Sequence, residues 1–120
     1  MAYFLEGSET TVIDEARAGE LLDDLLDRLG PLRRVLIVPP DFTRVHSWAG
    51  ELTVMLYERL KDGAHVDIMP ALGTHAPMTP DEINVMFPGI PPKMFREHDW
   101  RRDLIRLGEV PGHFVKRVSE

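Results

Sequence analysis

The sequence predicts an α/β domain, a Rossmann-like three-layer arrangement with a mainly parallel sheet built on a βαβ unit and extra edge strands at both ends. Three observations carry that reading. Arg34 leads into Val35-Leu36-Ile37-Val38, a continuous apolar run of the kind buried on both faces of a parallel sheet. His65-Val66-Asp67-Ile68-Met69 reads as a second strand, with Asp62-Gly63 before it and Gly73 after it. Between the two, Trp48, Leu52, Met55, Leu56 and Leu60 recur at helical spacing and form one apolar stripe. Strand, helix and strand in about 35 residues make a βαβ unit, whose crossover is right-handed in nearly all cases.

The remaining elements follow in order. Residues 3–5 and 10–13 flank Gly7-Ser8 and read as short strands at an edge. A helix is expected over 14–29, with Leu21, Leu22, Leu25, Leu26 and Leu29 as its buried stripe. Its acidic start suits the helix dipole, and Gly30-Pro31 stops it. After the βαβ unit, Thr79-Pro80-Asp81-Glu82 combines a capping Thr, a first-turn Pro and a reciprocal Glu, so a helix starts there. Pro88-Gly89 ends it after Phe87, and Pro91-Pro92 stiffens the next connection. Three further strands are expected at 94–98, 103–107 and 113–118.

Composition narrows the function. The 120 residues are 43% hydrophobic, enough for one ordinary core and one domain. With 20 acids against 14 Lys and Arg the net charge is −6, which disfavours nucleic acid as a partner. The charge is uneven, with eight acids and two bases in residues 1–30, and five acids and seven bases in 91–120. A solvated acidic helix face accounts for that asymmetry without a partner. There is no cysteine, so disulfides, thiolate metal sites and thiol catalysis are excluded. No apolar run approaches the ~20 residues of a membrane span, and no signal peptide is visible, so a cytoplasmic protein is expected.

In an open α/β sheet, ligands bind beyond the carboxyl ends of the strands. Two loops sit there: Asp41-Phe42-Thr43-Arg44 and Gly73-Thr74-His75. Paired neighbouring strands lie roughly 5 Å apart, so Asp41, Arg44 and His75 can surround one small molecule. Each residue also has a plain structural reading. Asp41 fits an Asx turn, or a pair with Arg44 three residues on. Arg44 has the planar fork that grips carboxylate or phosphate. His75 lies outside any apolar stripe, and its imidazole titrates near neutral pH, yet a lone loop histidine is commonly just surface. His46 either lines the site or faces solvent. His65 and Asp67 share one strand face, and His98-Asp99 opens a turn before Trp100. None of these makes a metal site, and the helical histidine pair of zinc proteases and the EF-hand pattern are both missing. The first loop lacks the glycine triplet of dinucleotide-binding chains, and neither a P-loop nor a Gly-x-Ser-x-Gly elbow occurs.

Taken together, Val35-Leu36-Ile37-Val38-Pro39-Pro40-Asp41-Phe42-Thr43-Arg44, Ala71-Leu72-Gly73-Thr74-His75-Ala76-Pro77-Met78-Thr79 and His98-Asp99-Trp100 form a recognisable series. In this order and spacing, with Leu107-Gly108 before a further strand, the chain resembles the N-terminal domain of nickel-dependent lactate racemases. It departs from the family pattern at Phe42 and at Val45-His46-Ser47. The resemblance implies racemisation or epimerisation of a 2-hydroxy acid with a nickel-pincer nucleotide as cofactor. A histidine takes the hydroxyl proton while the carbon-bound hydrogen leaves as hydride to the cofactor. His75 matches one of the family's two acid/base histidines. Asp41, Thr43, Arg44 and Thr74 match its substrate- or cofactor-binding positions, with Arg44 suited to substrate carboxylate or cofactor phosphate, and Asp41 orienting Arg44 or His75.

On the same resemblance, residues 1–120 are one domain, the N-terminal domain of a longer racemase whose C-terminal domain is absent here. The second histidine, the cofactor-tethering lysine and the nickel-binding histidine belong to that later part. No cofactor is then expected on this chain alone. The expected partners are a small 2-hydroxy acid, the missing domain or a complementary chain, and a second copy in a homodimer; nucleic acid and membrane are not. An apolar patch around Pro77, Met78, Met86, Phe87 and Pro88 is the expected docking face. The alternative is a Rossmann-like domain that binds a ligand or partner without catalysis.

Overall fold

The computed structural model describes residues 6–119 and shows a mixed helix and strand chain around a small parallel sheet. Helix α1, Glu15–Leu29, opens with Asp14, whose side chain accepts the Arg17 N–H, and closes at Gly30 with φ 72°. Strand β1, Arg34–Ile37, leads through a 3-10 turn, Phe42–Ser47, into α2, Ala49–Leu60. Strand β2, His65–Ile68, precedes α3, Pro80–Met86, and α4 covers Gly112–Ser119. At the start of α3 both halves of the Thr79–Glu82 capping box form.

β1 and β2 pair in parallel, Arg34 with His65 and Ile37 with Ile68, with α2 between them in sequence. The ladder runs past both strands: Met69 donates to Ile37 O at 2.9 Å and Ala71 to Pro39 O at 2.8 Å. That extension holds the two following loops side by side.

The core lies on one face of this sheet. Ile68 is fully buried and Phe87 is 1% exposed, with Tyr57, Leu60, Val66, Met86 and Ile90 packed around them. The Phe87 and Phe95 rings meet at 5.4 Å. The opposite face is open among the described residues. Leu36 is 54% exposed and Val38 52%, so the expectation of a strand buried on both faces is corrected.

The helix stripes also shift. On α2 the fully buried positions are Gly50, Thr53, Tyr57 and Leu60, while Leu52, Met55 and Leu56 are half-buried. The helix is flanked on two sides, by the core and by α1, so its apolar surface is wider than one stripe. On α1 the buried residues are Ala18 and Gly19, because the helix approaches Met55 and Arg59 of α2 at its small residues. Its leucines are half-buried, except Leu29, which is exposed.

Among the described residues the expected edge strands do not form. Residues 3–5 lie outside the described residues, and 10–13 take no strand conformation. In place of a strand at 94–98 there is one parallel bridge, Phe95 to Ile68, after a 3-10 turn at Pro92–Met94. Residues 103–107 are irregular, and 113–118 are helix. There Pro111 O accepts from both Phe114 and Val115, which starts a helix with Phe114 and Val118 on one side. The anticipated apolar patch is corrected as well, since Met86 and Phe87 belong to the core. Exposed apolar side chains gather instead at Leu104, Ile105, Leu107, Val110, Val115 and Val118. No helix of the described residues is long and apolar enough to cross a membrane.

One close approach tests this packing. A Cβ at Gly50 would lie 2.3 Å from the Met86 carbonyl oxygen, a backbone atom that cannot rotate away. Gly50→Ala is therefore expected to destabilise the fold by about 1–3 kcal/mol or more, despite the ~1 kcal/mol gain in helix propensity. A Cβ at Gly112 meets nothing within 4 Å, so Gly112→Ala should keep or raise the urea midpoint measured alongside.

Candidate functional site

The site begins with a buried carboxylate. Pro39-Pro40 carries the chain off β1, and the bridge from Pro40 to Ala71 keeps the two strand ends together. Asp41 follows at 5% exposure and caps the 3-10 turn, accepting the Thr43 N–H at 3.2 Å and the Thr43 hydroxyl at 2.5 Å on Oδ1. Its other oxygen, Oδ2, accepts from His75 Nδ1 at 2.6 Å, across 34 residues of sequence. A carboxylate can only accept, so Nδ1 carries the hydrogen and the lone pair of His75 rests on Nε2. The His75 side chain is 56% exposed, and among the described residues Nε2 has no hydrogen-bond partner.

Burial alone would push the Asp41 carboxyl up. The Thr43 hydroxyl, the His75 ring and the Thr43 N–H outweigh it and hold this carboxyl below the usual aspartate range.

His75 is positioned by its own turn. Its N–H donates to Leu72 O at 2.9 Å, and Gly73 takes φ 59°, a left-handed conformation that favours glycine. The Leu72 N–H donates in turn to His98 Nδ1 at 3.1 Å. Beside His75 opens a cavity of about 510 Å³ that Thr74, His98 and Trp100 also line.

The sequence reading is thus brought together in part. Asp41 and His75 meet, and Thr43 braces Asp41 with its hydroxyl proton. Thr74 is on the cavity wall. Arg44 is exposed and, among the described residues, makes no ion pair; its N–H donates to Asp41 O at 3.0 Å, so Asp41 orients His75 rather than the guanidinium. His46 is exposed, and His65 bonds Asp67 at 3.1 Å, starting from the amino end of β2. The contribution of His98 had no signal in composition or spacing, because its partner is a backbone amide 26 residues away. Among the described residues no group of three His, Asp or Glu could hold a metal ion.

The dyad has a stability signature. Asp41→Ala removes the cap of the 3-10 turn and the bond to His75 and should cost about 0.5–2 kcal/mol at pH 7. Because the folded carboxyl titrates below its unfolded value, its contribution is fully present above about pH 4. It is lost as pH falls through the folded value. Urea unfolding at pH 7 and in steps down to about pH 2.5 should show the gap between parent and variant narrowing only below about pH 4.

A family model described as the lactate racemase N-terminal domain matches residues 8–113, a span that holds both loops and the cavity. Comparisons with curated proteins and with solved structures found no match. The chain therefore belongs to the lactate racemase N-terminal domain family.

Proposed function

We propose that this domain supplies an acid/base histidine and an anion-binding arginine to a lactate-type 2-hydroxy-acid racemase or epimerase, and that it is inactive without the rest of that enzyme. One observation carries the reading: the 2.6 Å bond from His75 Nδ1 to buried Asp41, which leaves Nε2 as the acceptor of an exposed ring. In that role Nε2 takes the substrate hydroxyl proton. Asp41 keeps the ring in the productive tautomer and stabilises the imidazolium that forms. Arg44, exposed at the same strand end, binds a carboxylate or phosphate, and Thr74 offers a hydroxyl at the cavity. Thr43 acts through Asp41.

The reading includes the nickel-pincer nucleotide, which supplies hydride acceptance and return when bound in the complete enzyme. Thr43, Arg44 and Thr74 are groups that suit its phosphate. No group of three metal-ligating side chains occurs among the described residues, and the protein ligand of the nickel is assigned to no residue here. Residues 1–120 form one domain of that enzyme in this reading, in the cytoplasm, in keeping with a chain that lacks cysteine. A Rossmann-like three-layer arrangement belongs to the same proposal. Its support is the exposed Leu36 and Val38, since parallel sheets are normally covered on both faces. The apolar side chains at 104–118 support a contact with the remainder of the enzyme.

The test uses the complete enzyme, or this chain complemented by its missing half. His75→Ala should lower turnover about 10²–10⁴-fold while changing KM little, because proton transfer acts in the transition state. Arg44→Lys should raise KM for substrate or cofactor as well as slow the reaction, since a point charge cannot reproduce a bidentate grip. His65→Ala should racemise at the parent rate. A near-normal rate for His75→Ala would place the base elsewhere.

A further inference from the structure

The cavity beside His75 has a second wall that the dyad does not explain. Leu72, Thr74 and His75 line it from the loop after β2, and Trp100, Arg101 and Arg102 line it from a later turn. Leu72 ties the two together, because its carbonyl accepts the His75 N–H while its own N–H donates to His98 Nδ1. His98 leads directly into the turn that carries the arginines. Asp99 Oδ1 shapes that turn by accepting the Arg101 N–H at 3.2 Å and the Arg102 N–H at 3.1 Å.

Among the described residues neither arginine has a close carboxylate partner. The Arg101 guanidinium carbon stacks 3.9 Å from the centre of the Trp100 ring, which pre-orders the cation, and among the described residues it makes no ion pair. Arg102 has a loose pair with Asp99 at 3.7 Å, and Glu97 on the same cavity offsets the two cations in part. In contrast, Arg96, which precedes this segment, is committed to Asp67 at 2.6 Å.

We propose that Arg101 and Arg102 form a second anion site, for a carboxylate or phosphate carried by a ligand whose hydroxy-acid end lies at His75. The inference rests on the function proposed above. A ligand with a single carboxylate has nothing to place against this wall. A dianionic one offers a second acidic group to the arginines, and the guanidinium fork suits a carboxylate or a phosphate. Both arginines are open to water, so the preference is modest and shrinks with added salt.

The test is an NMR titration of the whole chain at low salt with four probes. Lactate has a hydroxyl and one carboxylate. Malate adds a carboxylate, 3-phosphoglycerate adds a phosphate, and succinate has two carboxylates with no hydroxyl. Malate, 3-phosphoglycerate or both should bind about tenfold more tightly than lactate, equivalent to about 1.4 kcal/mol, and should shift the Trp100 indole N–H. Whichever gains identifies the acidic group. The paired change Arg101→Gln and Arg102→Gln should bring their affinity down to that of lactate. Equal affinity for all three, no binding, an unmoved Trp100 signal, or a preference that survives the paired change would overturn the site. The Trp100 shift is read in the unsubstituted chain, so it decides even if the variant folds poorly. Succinate separates the two claims. If it matches malate and depends on both arginines, the anion site stands and the hydroxy-acid reading falls. If lactate alone perturbs His75, the anion site falls and the hydroxy-acid reading stands.

Discussion

Arg34 lies beside His65 and Ile37 beside Ile68, and this parallel register decides where both loops begin. The ladder then continues through Pro39 and Ala71, so the chain leaves the two strands at neighbouring points and on the same end of the sheet. Asp41 needs only one more residue, and His75 one glycine-bearing turn, for the carboxylate and the imidazole to meet. An antiparallel pairing of the same segments would send the loops to opposite ends, and neither residue would have a partner. The core serves this register. Ile68 and Phe87 bury one face of β2, and α2 meets the end of α3 closely where Gly50 lies against Met86.

A carboxylate at 5% exposure is costly unless its oxygens are met, and Asp41 has donors on both. Two come from Thr43 within the same turn and one from His75, so the loop is organised around the acid before any ligand arrives. The arrangement is polarised. Oδ1 is spent on local structure, and Oδ2 alone faces the histidine. On the far side, Leu72 and His98 set the position of the turn that carries His75. Ring orientation is therefore fixed from two independent segments, which is what a proton-transfer group requires if it is to meet a substrate at a constant distance.

Local chemistry was the legible part of this chain. The capping box at Thr79 and Glu82, the Gly30 stop, the βαβ unit and the meeting of the two loops could all be read from residue type and spacing. The strands expected at 103–107 and 113–118 failed for a common reason. Residues 113–118 alternate poorly and carry Pro111-Gly112 in front, and a helix satisfies them where no neighbouring strand is present to pair with. Residues 103–107 are apolar enough for a strand but stay exposed and irregular, since nothing described packs on them. Leu36 and Val38 read as doubly buried because a β-branched run looks the same whether one face is covered or two. The bond from Leu72 to His98 left no trace in sequence, because a backbone amide has no residue type.

The proposed proton transfer depends on which nitrogen of His75 carries its hydrogen. A long-range ¹H–¹⁵N correlation spectrum of the chain near pH 8 reads that directly, well above the ordinary histidine titration near pH 6.5. A protonated Nδ1 bonded to Asp41 and an unprotonated Nε2 are expected, with the pattern lost in Asp41→Ala. A ring protonated on Nε2, or a pattern unchanged when Asp41 is removed, would contradict that expectation.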